Sequence, residues 1–349
     1  MPVFERRKKW LFDRAVLQKG DILFSRSQWT GTAIAKATKG RFGHVMVYLG
    51  DTVIHADTKG VWSKNPQRIL MNEQSRLAAF RLKEPLSPDH LRRVEDFARS
   101  RVGSIYSIPQ AVSSLRKRPD EIAERFELHT QFCSRLVGQC FAEVGVSLVA
   151  DFDFCTPNQI TESDRLDEVA GCVVQATDDE IEFNKTRDFN QELQREAYRW
   201  LSRVRALAEK HRLKPVNAQS DVGPMVSSNP HLDAEVCGYI EATKYLKFFD
   251  IDMRTNPWRY DPMQMIQVLR SKTPFATSLE EEHRINDANL RRFEGARLKA
   301  IQNANANSGL RYFSLEQQLY TKLVAQMHLW KAALTVVSMA NECKSSNSI

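Results

Sequence analysis

Cys133, His44 and His55 are the residues of this chain whose types and spacing could carry covalent chemistry. Cys133 opens an apolar-periodic segment that predicts a helix over 133–144, ended by Gly145, a usual C-cap residue. A thiol at a helix start lies beside unsatisfied N–H groups and the positive end of the helix dipole. That position lowers its pKa, and the thiolate is the nucleophile. The N–H of Cys133 would also be a natural donor to an oxyanion. One more buried structural thiol would look the same, so the helix start alone does not decide. An imidazole nearby would lower the thiol further and could protonate a leaving group. His44 opens a β-rich run in which it shares a face with Met46 and Tyr48, while Val45, Val47 and Leu49 point the other way. His55 lies at the far end of the partner run, and a hairpin turning at Gly50-Asp51 brings the two imidazoles side by side. One would be the base and the other its orienting partner. Alternatively, His55 is a hydrogen-bonded sheet residue with no role.

Other residues carry weaker cases. His129, four residues before Cys133, reads as a loop position. Asp151 and Asp153 have no His or Cys at ligand spacing, so no metal and no cofactor is expected. Asp178–Glu182 reads as a solvated acidic turn, and Glu280–Glu282 as the favourable first turn of a helix. The 6 cysteines include no C-x-x-C pair and do not look like a disulfide framework. Most should be reduced and buried.

The elements that must position these residues follow from periodicity and turn chemistry. Asp21–Phe24 reads as a short strand, Thr30–Lys39 as a short helix, His44–Gly50 and Thr52–Ala56 as a hairpin, and Leu77–Leu82 as another strand. Pro88–Val102 reads as a helix with Ser87 as its N-cap. A last strand, Val169–Gln175, would complete a small antiparallel sheet. Beyond about residue 180 the pattern turns helical: a long amphipathic helix over Asp188–Arg212, a Pro/Ser/Asn/Gly-rich linker or long loop over Lys214–Pro230, then helical segments near 232–248, 259–271, 279–302 and 314–342. Ser314 and Gln317 have capping-box spacing for the last of these. The expected fold class is therefore α+β followed by all-α, with domains at 1–180 and 181–349. The wide apolar stripe Leu315, Leu319, Leu323, Met327, Trp330 and Leu334 suits a core more than a lid.

Composition narrows the class. At 349 residues, 42% hydrophobic and 27% charged, the chain can bury a sizeable core. No stretch reaches the roughly 18 uncharged apolar residues of a membrane span. Leu323–Ala340 is interrupted by Gln326, His328 and Lys331. The N-terminus lacks the apolar core of a signal peptide, so the expectation is a cytoplasmic protein, or one exported without a cleaved signal. A net charge of +7 is compatible with several partners and selects none. Without zinc-finger spacing, an aromatic RNA-binding motif or a sustained basic run, no nucleic acid is expected.

Three segments together resemble a known family: Gly20-Asp21-Ile22, the Gly-His-Val-x-Val-Tyr-Leu-Gly hairpin, and the Phe-Cys-Ser-x-Leu-Val helix start. They are similar to the permuted branch of the NlpC-like, papain-fold hydrolases, nearest to the YiiX/YebB-like group and more distantly to lecithin retinol acyltransferase-like enzymes. The histidine strand precedes the cysteine helix, which is the permuted order. Thr156–Ser163 also resembles that group, as does Gly103-Ser-Ile-Tyr106, although Ser107 stands where an Asp is common. The resemblance covers about residues 15–175. It implies a permuted papain-like domain with Cys133 as nucleophile, His44 as general base and His55 as third polar residue. Tyr106, Ser134 and Tyr48 are the residues expected to touch substrate. The implied activity is a thiol-dependent acyl hydrolase or acyltransferase, on a lipid ester (a phospholipase-like reaction, at a membrane surface that the basic N-terminus and the last helix would contact). An amidase or peptidase on cell-wall peptide or protein amides, and an inactive binding or adaptor protein, are the alternatives. The chain's design is also compatible with a secreted effector, and its oligomeric state is open.

Overall fold

The computed structural model describes residues 8–26, 40–105, 132–271 and 275–346. The helix expected over 30–39 lies outside these, as do Tyr106, Ser107 and His129. The described chain divides into two compact units, Met1–Gln194 with Pro215–Asp221, and Arg195–Lys214 with Val222–Ile349.

The first unit is built on antiparallel strands: β1 (Trp10–Phe12), β2 (Ile22–Ser25), β3 (His44–Tyr48), β4 (Val53–Asp57), β5 (Gly60–Lys64), β6 (Leu77–Leu82), β7 (Leu166–Glu168) and β8 (Val173–Gln175). Six of them form one sheet in the order β5-β4-β3-β2-β6-β7. The β3–β4 hairpin turns at Gly50, whose φ of 97° a side chain would strain. Of the strand expected over 169–175 only Val173–Gln175 is one, and it does not complete the main sheet. Leu166–Glu168 completes the main sheet beside β6, while Val173–Gln175 pairs with β1 in a separate two-stranded ribbon. Alternation identifies a strand but not its partner, and here Gly171, at φ 70°, lies between the two pairings.

Strand alternation gives the sheet two apolar faces. On one, Val45, Val47, Ile54, Ala56, Phe24 and Ala78 pack against α1 (Pro88–Ser100) and α2 (Cys133–Ala142) through Val94, Ala98, Leu136, Val137, Cys140 and Phe141. On the other, Leu23, Met46, Tyr48, Val53, Leu77 and Ala79 meet Phe12, Cys172 and Val173 of the ribbon. Each fully buried Leu, Val or Phe contributes about 1.5–3 kcal/mol, so these layers anchor the site elements firmly. Asp21, 1% exposed, takes both carboxylate oxygens to Arg81 at 2.7 and 2.8 Å and accepts the Gln18 N–H. This fixes the entry to β2. Ser87 caps α1 as its sequence suggests, its hydroxyl accepting the His90 N–H. The short helix α3 (Pro157–Thr161) carries a full capping box from Thr156 and Gln159. Asp178–Glu182, read as a turn, is the exposed start of helix α4 (Asp178–Lys185), because Thr177 and Glu180 form a capping box that nucleates it.

The helical region follows: α5 (Phe189–Lys210), α6 (Val222–Ser228), α7 (Asp233–Glu241), α8 (Phe248–Thr255), α9 (Pro262–Arg270), α10 (Phe275–Ala306) and α11 (Arg311–Ser346). The stretch expected as a linker contains α6, which buries Val222, Gly223, Met225 and Val226. Tertiary packing outweighs its poor helix propensity. Upstream, Asp221 accepts the N–H groups of Asn217 and Ala218. Glu280–Glu282 falls in the second turn of α10, since the helix begins at Phe275. Ser314 does not cap α11 either. That helix starts at Arg311, and Asp233, distant in sequence, accepts the N–H groups of Arg311 and Tyr312 at 2.8 and 2.9 Å. The expected stripe on α11 belongs to a core: Met327, Trp330 and Leu334 are buried with Met265, Leu269, Leu279 and Leu290. Arg311–Glu342 is long and apolar enough to cross a membrane by length and composition. Of its apolar window 39% is buried, so the expectation that no stretch reaches the length and apolarity of a span is corrected for this helix.

Candidate active site

Three elements carry the sequence-selected residues, and two of them bring the imidazoles together. β3 begins at His44, β4 carries His55 and α2 begins at Cys133. Register within the hairpin, Val47 with Ile54 and Tyr48 with Val53, makes His44 and His55 diagonal neighbours on one face. Their rings meet edge-on, with His44 Nε2 3.2 Å from His55 Nδ1. One nitrogen must donate and the other accept. With Nε2 occupied in this way, Nδ1 is the His44 nitrogen left for another partner.

Cys133 is 4% exposed and packs with Val45 and Val47. Its N-cap, Phe132, is extended and makes no side-chain cap bond, so the first N–H groups of α2 are not taken by a capping side chain. The backbone N–H groups of Val45, Ser134 and Cys133 itself act on the sulfur. Val45 follows His44 directly in β3. No hydrogen bond joins the Cys133 sulfur to either imidazole among the described residues.

Electrostatics at the site run against the simple helix-start expectation. Burial pushes the Cys133 thiol up to about 11, and the three N–H groups only partly oppose it. Desolvation of a thiolate outweighs the helix terminus here. Burial, and then the Lys64 ammonium, pull His44 down to about 4. His55 is held well below the usual histidine value by burial, by His44 and by Lys64. Thiol and imidazole are therefore both neutral at pH 7.

Two residues expected to touch substrate are committed elsewhere. Tyr48, 2% exposed, donates its hydroxyl to the Gly50 carbonyl at 2.5 Å, and Ser134, 1% exposed, donates to the Cys155 carbonyl at 2.6 Å. Both hydroxyls serve the fold and are not presented to a ligand. The third, Tyr106, lies outside the described residues. Asp153 is likewise structural: its carbonyl accepts Arg135 Nε at 2.9 Å and its carboxylate accepts Gln139 Nε2 at 2.7 Å. Cys140, Cys155, Cys172 and Cys237 are free and buried. Among the described residues no group of three His, Cys, Asp or Glu side chains is placed to hold a metal.

The sequence reading missed β5, and with it Trp62 and Lys64. Trp62 lies directly opposite His55 in the β4–β5 ladder. The signal was present: Gly60, at φ 124°, marks a second tight turn after β4, and an apolar-aromatic run follows it.

Residues 16–164 match the family described as permuted papain-like amidase enzymes, YaeF/YiiX, C92 family. Among solved structures the chain is similar to the crystal structure of the metalloprotein YiiX from Escherichia coli O157:H7, with 15% identity and a TM-score of 0.30, over 44% of this chain and 96% of that one. No curated protein matches the chain. The N-terminal part is thus a papain-like, YiiX-like domain with a small antiparallel sheet, followed by a helical region, and the family it matches is one of amidases.

Proposed function

With residues 16–164 matching the permuted papain-like amidases, we propose that this chain is a thiol-dependent amide hydrolase with Cys133 as nucleophile, His44 as general base and His55 as the orienting partner of His44. What supports this reading is the family match, together with a Cys133 sulfur held by the N–H of Val45, the residue after His44, and a His44 imidazole hydrogen-bonded to that of His55.

Because both groups are neutral, the proton leaves the thiol as attack proceeds, not before it. Nδ1 of His44 takes that proton while the sulfur bonds to the acyl carbon. The tetrahedral oxyanion is stabilised by N–H groups at the start of α2. The imidazolium then protonates the departing amine and a thioester remains. Water attacks the thioester, His44 accepts its proton, and the carboxylic acid leaves as the sulfur recovers a proton. His55 accepts from His44 Nε2, holding the tautomer that frees Nδ1.

The family's amide chemistry favours this substrate class over the lipid ester expected from sequence. The same thioester route would serve an ester, so the test compares them. Wild type and Cys133→Ala are incubated with peptidoglycan peptides, N-acyl amino acids and phospholipid vesicles, and products are identified by mass spectrometry. Amide cleavage by the wild type, lost by roughly a thousandfold or more in Cys133→Ala, is the expected outcome. Release of fatty acid or lysophospholipid alone would move the substrate to lipid esters. Amide turnover that survives in Cys133→Ala would remove the thiol from the mechanism.

A further inference from the structure

Arg135 is a cation in the first turn of α2, two residues after Cys133, and its side chain is 0% exposed. Both facts count against it. The positive end of a helix disfavours a cation, and a buried charge is costly without partners. Its partners show what offsets this. Nε donates to the Asp153 carbonyl at 2.9 Å and lies 3.6 Å from the Asp153 carboxylate. The guanidinium carbon stands 4.9 Å from the centre of the Phe132 ring and 5.1 Å from that of Phe154, within cation–π range of both.

These partners come from two places. Phe132 is the N-cap of α2, and its carbonyl carbon is bonded to the Cys133 nitrogen. Asp153 and Phe154 belong to the 151–155 loop, which is shaped from within: the Asp151 carboxylate accepts the N–H groups of Asp153 and Phe154 at 2.9 and 3.1 Å. The same loop grips α2 at neighbouring positions. Ser134 donates to the Cys155 carbonyl at 2.6 Å, and Gln139 donates to the Asp153 carboxylate at 2.7 Å. Gly138 leaves the room that Phe152 fills. To these contacts Arg135 adds one with the N-cap residue itself.

We infer that Arg135 is a positioning residue for the nucleophile: its guanidinium ties the Phe132 ring to the preformed 151–155 loop and so fixes the chain where it enters α2, and with it the Cys133 sulfur and N–H. The inference deepens the proposed mechanism and rests on it for its purpose. There the sulfur attacks the acyl carbon while an N–H of the same turn receives the oxyanion, so the turn that carries both must hold still. Phe132 makes no side-chain cap bond, and its ring supplies the hold that a capping side chain would give elsewhere. Arg135 acts through Phe132 and not on the substrate. The planar fork matters more than the charge, since a lysine ammonium cannot present one flat surface to two rings.

The test compares two thiols on one helix. Full-length protein is labelled with iodoacetamide at a fixed alkaline pH, and mass spectrometry follows Cys133 and Cys140, the latter buried further along α2. Arg135→Lys, which keeps the charge and loses the fork, should speed labelling of Cys133 severalfold and leave Cys140 at the wild-type rate. Phe154→Leu should do the same from the loop side, whereas Phe154→Tyr, which keeps the ring, labels as the wild type does. Phe154→Leu carries the test if Arg135→Lys does not fold. On an amide substrate kcat should fall by about tenfold to a hundredfold in the loosened variants, with KM little changed. Acceleration of both thiols together would make Arg135 a stabiliser of the whole helix and overturn the inference, and so would acceleration of neither. The labelling needs no turnover. A wild type inactive on every substrate would count against the hydrolase reading, whereas unmoved Cys133 labelling in an active enzyme would count against Arg135 alone.

Discussion

At the start of β3 two neutral groups of opposite tendency face the same peptide. A papain-like thiol is usually pictured as a thiolate–imidazolium pair, but burial here raises Cys133 to about 11 and lowers His44 to about 4, which leaves both uncharged over most of the pH range. The consequence is measurable at the single residue. Iodoacetamide should alkylate Cys133 slowly at pH 7, and the rate should climb only above the ordinary thiol range of about 9. Mass spectrometry of the Cys133 peptide after timed labelling checks this. Rapid labelling with a midpoint below pH 7 would mean that the ion pair already exists in the free protein.

At the scale of elements, the chemistry depends on how closely α2 approaches its surroundings. Gly138 lies in the middle of that helix, and a Cβ built there would meet Phe152 Cβ at 2.8 Å, with the Phe152 carbonyl oxygen at 3.2 Å. These are atoms close to the backbone, and they cannot swing aside. Gly138→Ala should gain about 1 kcal/mol of helix propensity but lose about 1–3 kcal/mol to overpacking. The net expectation is a modest loss of stability, read as a lower urea midpoint. Activity should fall as well, because any shift of α2 displaces Cys133 from Val45. Unchanged stability would show that the 150–154 segment yields easily. Gln194 illustrates the same scale at the other edge of the sheet. By satisfying the N–H and carbonyl of Ser63, it stands in for the neighbouring strand that edge strand β5 lacks.

For the whole molecule, buried titrating groups give the two units opposite responses to acid. In the first unit, His44 and His55 have folded pKa values below the unfolded 6.5. Between 6.5 and about 4 the unfolded chain therefore binds more protons, and stability falls as pH drops through that window. Asp57 and Asp96, raised by burial, work in the other direction, while Glu95, lowered against its burial by Arg99 and Lys19, works with the imidazoles. In the second unit the buried Glu316 is raised above its unfolded 4.5, so protonation on acidification favours the folded state. Hydrogen exchange at pH 7 and pH 5 should accordingly show faster opening of β3 and β4 at the lower pH, with no matching loss in α11. Uniform destabilisation of both units would contradict this assignment of buried groups.

Much of the site was legible in the sequence because its signals are local. A cysteine at the start of an apolar-periodic segment, a histidine after glycine at the head of a β-run and a Gly-Asp turn need only neighbours in the chain to be read. Local capping was legible for the same reason at Ser87, and it misled at Ser314, where a carboxylate from Asp233 does the capping. The sequence alone therefore determined the order of the histidine strand and the cysteine helix and the identity of the candidate residues. Tertiary structure alone decided the rest. It assigned strand partners, putting 173–175 on β1 and 166–168 on the main sheet. It committed the hydroxyls of Tyr48 and Ser134 to the fold. It also set the protonation of the site, since desolvation and the charge of Lys64 depend on what surrounds a side chain in space, and neither is encoded in the residues beside it in the chain.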